Sequence, residues 1–215
     1  MAPRSPTPAL AALALALAAA ACGAVPEKRY YAVANEPGPA ADPSGVPACS
    51  RPVVVAAMEI AVPYDNDRIV FRSDGFEVRY SSYDLWVSRP QDMFQQLLAQ
   101  KLERARVFAA VEPRIASSRD HLALLGTVDA VELISRGEHL EARLAMTLRL
   151  RDTATETTAW EHAFDTRRPV VADDPEAAVG ETVRVLSAIY NAEIDAAVQL
   201  LQRFAATYPG CAAGR

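Results

Sequence analysis

Three cysteines, three histidines and a few paired acids carry most of the chemical reach in this 215-residue chain. The histidines, His121, His139 and His162, show neither the HExxH spacing of a zinc-binding helix nor a His-x-His pair. A metal centre needs three or four converging ligands. His139 and His162 fall on consecutive strand-like segments, with Glu161 beside the second, and read as surface strand histidines, so no metal is assigned. There is no Gly-x-Ser-x-Gly elbow, no glycine-rich phosphate loop, and no histidine beside Cys49 or Cys211 in sequence. Asp173-Asp174 and Glu141 are explained by helix capping and cross-strand pairing. These residues nominate no catalyst and no cofactor, and the chain reads as a non-enzyme.

Cys22 is the reactive position that its surroundings single out. It closes the run "LALALAAAACGAVPEK" (13–28), in which an apolar stretch turns abruptly polar and meets a proline. A transmembrane helix, a cleaved secretory signal and a lipoprotein signal compete as readings. A spanning helix wants roughly 20 strongly apolar residues, whereas Ala9–Cys22 is shorter and mostly alanine. One cation, Arg4, precedes the run, which gives the charged start, apolar middle and small-residue end of an export signal. Ala19-Ala20-Ala21 would serve an ordinary signal peptidase. The same small residues directly before a cysteine favour acylation of Cys22 as the first mature residue, although Ala19 stands where such signals usually carry leucine. Gly23, rather than aspartate, then implies sorting to the outer membrane. The expected division is a leader over 1–21, a lipidated cysteine with a Pro/Ala-rich tether over 22–52, and one domain over 53–215.

With Cys22 assigned to lipid, Cys49 and Cys211 remain, and an even remainder in an oxidising compartment makes them a disulfide candidate. Two free thiols too far apart to meet are the alternative, which spacing does not decide. The balance of 22 Lys+Arg against 27 Asp+Glu, a formal charge of −5, offers no basic patch for nucleic acid.

The elements that must carry these residues are legible in outline. Residues 23–52 hold six of the fifteen prolines and few large apolar side chains, the composition of a tether, interrupted only by Tyr30-Tyr31. "RPVVVAAMEIAVP" (51–63) predicts a strand stopped by Pro63, and "RIVFRSDGFEVRY" (68–80) a hairpin turning at Ser73-Asp74-Gly75. A helix is expected over 88–108, started by Ser88 and Pro90, with Met93, Leu97, Leu98 and Leu102 as its apolar stripe. Strands are expected over 107–111, 121–135, 138–152 and 157–166. In the third of these, Leu140, Ala142, Leu144, Met146, Leu148 and Leu150 alternate with Glu141, Arg143, Thr147, Arg149 and Arg151. A long helix capped by Asp173 and Asp174 closes the chain, with a stripe from Val179 through Tyr190 to Phe204. This order predicts an α+β domain: a mainly antiparallel sheet, helices packed on one face, and a long C-terminal helix.

One segment is rich in aromatics: Tyr64, Phe71, Phe76, Tyr80, Tyr83 and Trp86. Most fill a core on this reading, with Tyr83 and Trp86 as the partner-binding candidates. The same segment, with Ile69-Val70-Phe71-Arg72, then Glu77-Val78 and Tyr80, then Tyr83-Asp84-Leu85-Trp86 before Pro90, resembles the ABC-type transport auxiliary lipoproteins, which include the paraquat-inducible protein C type. Tyr30-Tyr31 and the long last helix resemble the family as well, while Ser81-Ser82 stand where it often has a further aromatic. The resemblance implies an outer-membrane-anchored, periplasm-facing partner of an inner-membrane ABC transporter and its MCE-domain protein, in lipid transport between membranes, with a homo-oligomer possible. The alternative is a lipid-binding carrier holding an acyl chain between the Leu140–Leu150 face and the last helix.

Overall fold

The computed structural model describes residues 26–40, 45–73, 75–112, 121–172 and 174–211. In chain order the strands are β1 (Arg29–Tyr31), β2 (Val53–Val55), β3 (Glu59–Ile60), β4 (Arg68–Ser73) and β5 (Glu77–Trp86), followed by helix α1 (Pro90–Ala105). Then come β6 (Val111–Glu112), β7 (Leu122–Arg136), β8 (His139–Asp152), β9 (Thr157–Val170) and helix α2 (Pro175–Thr207). Short 3-10 turns lie at Val62–Tyr64 and Pro209–Cys211.

β7 is the spine of a nine-stranded sheet. Along one edge it pairs with β8 over nearly its whole length in antiparallel register, from Leu122 beside Asp152 to Arg136 beside His139. The turn between them is made at Gly137, whose φ of +60° suits a residue without a Cβ. β9 continues the antiparallel ladder on the far side of β8. The other edge of β7 is shared in succession by β2, β3 and β4, all parallel to it. β5 pairs with β4, β1 with β5, and β6 with β2.

The architecture is α+β; the long ladders β4–β5, β7–β8 and β8–β9 are antiparallel, and short parallel pairings make the sheet mixed. The parallel pairings join segments more than fifty residues apart, and only a crossover, here the one that includes α1, brings such strands side by side. The single strand expected over 51–63 is broken into β2, β3 and a 3-10 turn because the pieces are laid end to end along β7. At the break Met58 fills the room that Gly126 leaves on β7, where a Cβ would come within 3.0 Å of the methionine. Of the strand expected over 107–111 only Val111 falls in β6, while Val107 and Phe108 sink into the core, Phe108 bridging to Cys49. Ser88 does not cap α1: the N-cap is Arg89, and Pro90 occupies the first turn. Asp174 does cap α2, its carboxylate accepting the Ala177 N–H at 2.7 Å; Asp173 lies outside the described residues.

Both helices lie on one face of the sheet, α1 against β2, β6 and β7, and α2 against β7, β8 and β9. Phe94 of α1 and Tyr190 of α2 stack with ring centroids 5.2 Å apart where the helices meet. Leu144, Met146, Leu148 and Leu150 are buried beneath α2, packed in one cluster with Leu186, Ile194 and Leu201. The face that a carrier would keep open for an acyl chain is therefore filled by side chains.

Candidate functional site

The stretch expected to be a free tether up to residue 52 is docked in the structure over residues 29–38 and again from Cys49. β1 runs parallel to β5, with Arg29, Tyr30 and Tyr31 beside Asp84, Leu85 and Trp86. Arg29 Nε donates to Asp84 at 2.8 Å, and the Tyr31 hydroxyl approaches the same carboxylate at 3.4 Å. The chain then crosses the helix pair as a strap. The Ala34 N–H donates to Ser187 Oγ at 3.0 Å, the Glu36 N–H donates to Asn191 Oδ1 at 3.0 Å, and Asn191 Nδ2 donates to the Ala34 carbonyl at 2.8 Å. Lys101, buried on α1, reaches the Glu36 carbonyl at 3.2 Å and Asp195 of α2 at 2.6 Å. The strap passes so close that a Cβ on Gly38 would stand 2.6 Å from Asp195 Oδ1. Composition misled here because only Val33 and Tyr31 of the strap pack on the core, and the rest is held through its backbone by polar side chains of α2. The available signal was Ser187 and Asn191, polar residues four apart within an apolar helical stripe.

The end of the strap is locked to the tail of the chain. Cys49 and Cys211 are joined by a disulfide, with Cα atoms 4.5 Å apart, and both residues are buried. Beside it the Arg51 guanidinium grips Asp152 with two hydrogen bonds of 2.7 and 3.0 Å and donates to the carbonyls of Gly210 and His121. The Tyr208 hydroxyl donates to the same carboxylate at 2.9 Å. Hydrogen bonds from Arg51 hold the Asp152 carboxyl far below the usual carboxylate range against the opposing cost of burial.

From Phe71 to Trp86 the aromatic segment forms the β4–β5 hairpin, which lies between β7 and the edge strand β1. Opposite Ile69, between the pairs Arg68–Leu85 and Val70–Tyr80, β5 bulges outward. Ser81 stabilises the bulge by accepting the N–H groups of Tyr83 and Asp84 and donating to Asp84 Oδ2 at 2.9 Å. The two partner-binding candidates are separated by this shape. Tyr83 is 40% exposed, and Tyr80 is exposed similarly, whereas Trp86 is only 2% exposed. Trp86 is thus a core residue, buried because β1 covers its strand and the core packs against its ring, and it is not available to a partner.

A buried ionic cluster bolts the hairpin to the sheet. Glu132 of β7 has a fully buried side chain and accepts from Arg72 Nε of β4 at 2.8 Å, Arg143 Nη1 of β8 at 3.1 Å and the Tyr64 hydroxyl at 2.7 Å. Arg143 also forks onto Asp165 of β9 through two 2.8 Å bonds. Burial, reinforced by the bond to Glu132, pushes the Tyr64 hydroxyl up to about 12, and Asp165 is held low by Arg143. Each charge faces an opposite one, so the cluster fixes strand positions and offers no free acid or base. Sequence alternation placed Arg143 on the outer face of β8 without showing that Tyr64 and Arg72 would close over Glu132.

The remaining expected positions fall apart. Cys22 lies outside the described residues. His162 pairs with Leu148 while His139 lies at the start of β8, so the two are far apart along the ladder. Among the described residues no three His, Cys, Asp or Glu side chains gather as a metal site. An open cleft of about 420 Å³ lies between the hairpin and the start of α2, lined by Phe71, Leu133, Leu140 and Ala178 with Arg79 and Asp174.

Solved structures share this α+β architecture. Protein XCC0632 from Xanthomonas campestris, assigned to the DUF330 family, superposes with a TM-score of 0.64 at 20% identity, over 81% of this chain and 98% of its own. An uncharacterised protein superposes with a TM-score of 0.57 at 14% identity, over 81% and 99%. Hypothetical protein CT253 from Chlamydia trachomatis gives 0.52 at 5% identity, over 74% and 99%. These likenesses define the class of fold. No curated protein matches the chain in sequence. The chain belongs to the family of ABC-type transport auxiliary lipoprotein components, whose model matches residues 31–194. Members of this lipoprotein family are bacterial envelope proteins. Among the described residues no helix is long and apolar enough to cross a membrane.

Proposed function

We propose that this chain is the outer-membrane-anchored, non-enzymatic adaptor of an ABC transport system of the MCE type, working in lipid transfer between membranes. The family match over residues 31–194 carries the reading. On this view residues 1–21 are the leader and Cys22 is acylated, and the chain that follows is docked on the domain at Arg29. The exposed outer side of the hairpin around Tyr83 and Tyr80 meets the periplasmic MCE-domain partner, with Tyr and its half-dry ring suited to such a contact. Assembly into a homo-oligomer belongs to the same proposal, since β9 pairs only with β8 among the described strands and leaves its other edge open.

The test compares wild type with Cys22→Ala in bacterial membranes, and then Tyr83→Ala in the lipidated background. Intact mass is expected to show a diacylglyceryl-modified Cys22 in the outer-membrane fraction, lost in Cys22→Ala. Tyr83→Ala is expected to keep its stability within about 0.5 kcal/mol, as exposed sites do, and to reduce crosslinking to the MCE-domain protein. A soluble, unmodified Cys22 would remove the anchor, and unchanged crosslinking would remove Tyr83 from the interface.

A further inference from the structure

We infer that one pole of the domain, carrying the exposed side chains Phe76 and Val171, rests against the lipid surface, with the acyl chain of Cys22 entering the bilayer beside it. The inference rests on the proposed lipidation of Cys22 and adds the orientation of the domain on the membrane.

Register gathers three connections at this pole. Ser73 of β4 lies beside Ser135 of β7, so the β4–β5 and β7–β8 turns are at the same end of the sheet. Leu140 lies beside Val170, which brings the β9–α2 connection to that end too. Phe76, in the first of these turns, is 94% exposed, and Val171, in the last, is 80% exposed. A Phe ring in water at a turn tip gains free energy when it enters an apolar medium. Two apolar tips on separate turns suit a soft lipid interface better than a contoured protein groove. Val62, equally bare, sits on the 3-10 turn elsewhere in the fold.

Chain direction and reach point the anchor to the same place. β1 is parallel to β5, with Arg29 beside Asp84, so the start of β1 faces the Glu77 end of β5 and the hairpin tip. Seven residues separate Cys22 from Arg29, the same number that separates Glu77 from Asp84. Fully extended they span at most about 25 Å, enough to bring Cys22 level with Phe76. Both poles carry exposed polar turn residues, Arg136 and Glu138 at this one, and the opposite pole differs in lacking a bare Phe or Val among its described turn residues. It holds the β8–β9 turn, with Thr153, Thr155 and Glu156, next to the Arg51–Asp152 pair and the disulfide.

The experiment uses the full-length lipidated protein in phosphatidylethanolamine–phosphatidylglycerol vesicles containing doxyl-labelled lipid. A single thiol is added for an environment-sensitive fluorophore, Glu138→Cys in the β7–β8 turn or Thr155→Cys at the opposite pole. The native thiols are then occupied by lipid and disulfide. Quenching several-fold stronger at position 138 than at 155, and reduced by Phe76→Ser with Val171→Ser, is expected. Equal quenching, or stronger quenching at 155, in protein that floats with the vesicles would overturn the orientation while leaving the anchor intact. Shielding at 138 without lipid quenching would also overturn it, by showing a second copy or a partner on this pole. Failure to float, with Cys22 itself taking up the fluorophore, would overturn the lipidation and this orientation with it.

Discussion

Removing the Cys49–Cys211 link probes how the domain is closed on itself. The two cysteines are 162 residues apart in sequence, so the bond encloses almost the whole described domain in one loop. In the chain-entropy treatment, a cross-link over a loop of that size lowers the conformational freedom of the unfolded chain by about 5 kcal/mol at 25 °C. Folded-state contacts nearby do not depend on the sulfurs: the Ser50 N–H and Oγ both donate to the Cys211 carbonyl, at 3.1 and 3.0 Å, and Arg51 donates to Gly210. The cost should therefore arise mainly in the unfolded state. Residual structure in that state would reduce it, so a loss of about 3–5 kcal/mol is expected for Cys49→Ala/Cys211→Ala. For a domain of this size that corresponds to a fall in Tm of about 6–20 °C. Urea unfolding of the leaderless chain carrying Cys22→Ser, with and without the double substitution, measures it. The denaturant slope should rise as well, because the freed unfolded chain exposes more surface. A loss below about 1 kcal/mol with an unchanged slope would refute the argument that the bond acts through loop closure.

Two further outcomes test the strap and the clasp. Because Arg51 depresses the Asp152 carboxyl in the folded state, the stabilisation is complete above the unfolded value near 3.9 and is lost as pH falls toward the folded one. Unfolding followed from neutral pH downward should show wild-type stability falling from about pH 5, and Asp152→Asn should be about 1–3 kcal/mol less stable at neutral pH with a flatter acid limb; a parallel acid limb would assign the slope to other carboxylates such as Asp165. Asn191→Ala leaves the Ala34 carbonyl and the Glu36 N–H without their partner, so amide exchange at Glu36 should accelerate about fivefold or more, for a local loss of at least about 1 kcal/mol. Unchanged exchange there would mean that Ser187, Lys101, Val33 and β1 hold the strap without Asn191.

What could be read directly from the residues was whatever depends on neighbours in sequence. The alternation from Leu140 to Leu150 marked a half-buried strand, the three-to-four spacing from Val179 to Phe204 marked a helix with one dry face, and Pro90 and Asp174 marked where helices begin. The family resemblance lay in the same local stretches, and the Cys22 signal is local by nature. Tertiary structure decided whatever depends on segments meeting from afar. β2, β3 and β4 had to align with β7 before the sheet became mixed, since a parallel ladder leaves no mark on either strand by itself. Trp86 and Tyr83 are three residues apart and similar in chemistry, yet the bulge at Ser81 and the cover from β1 bury one and expose the other. The Pro-rich segment after Lys28 looked unable to fold because few of its side chains can be buried. It is ordered by hydrogen bonds from its backbone to Ser187 and Asn191, about 150 residues away, and only the packed helices put those side chains in reach.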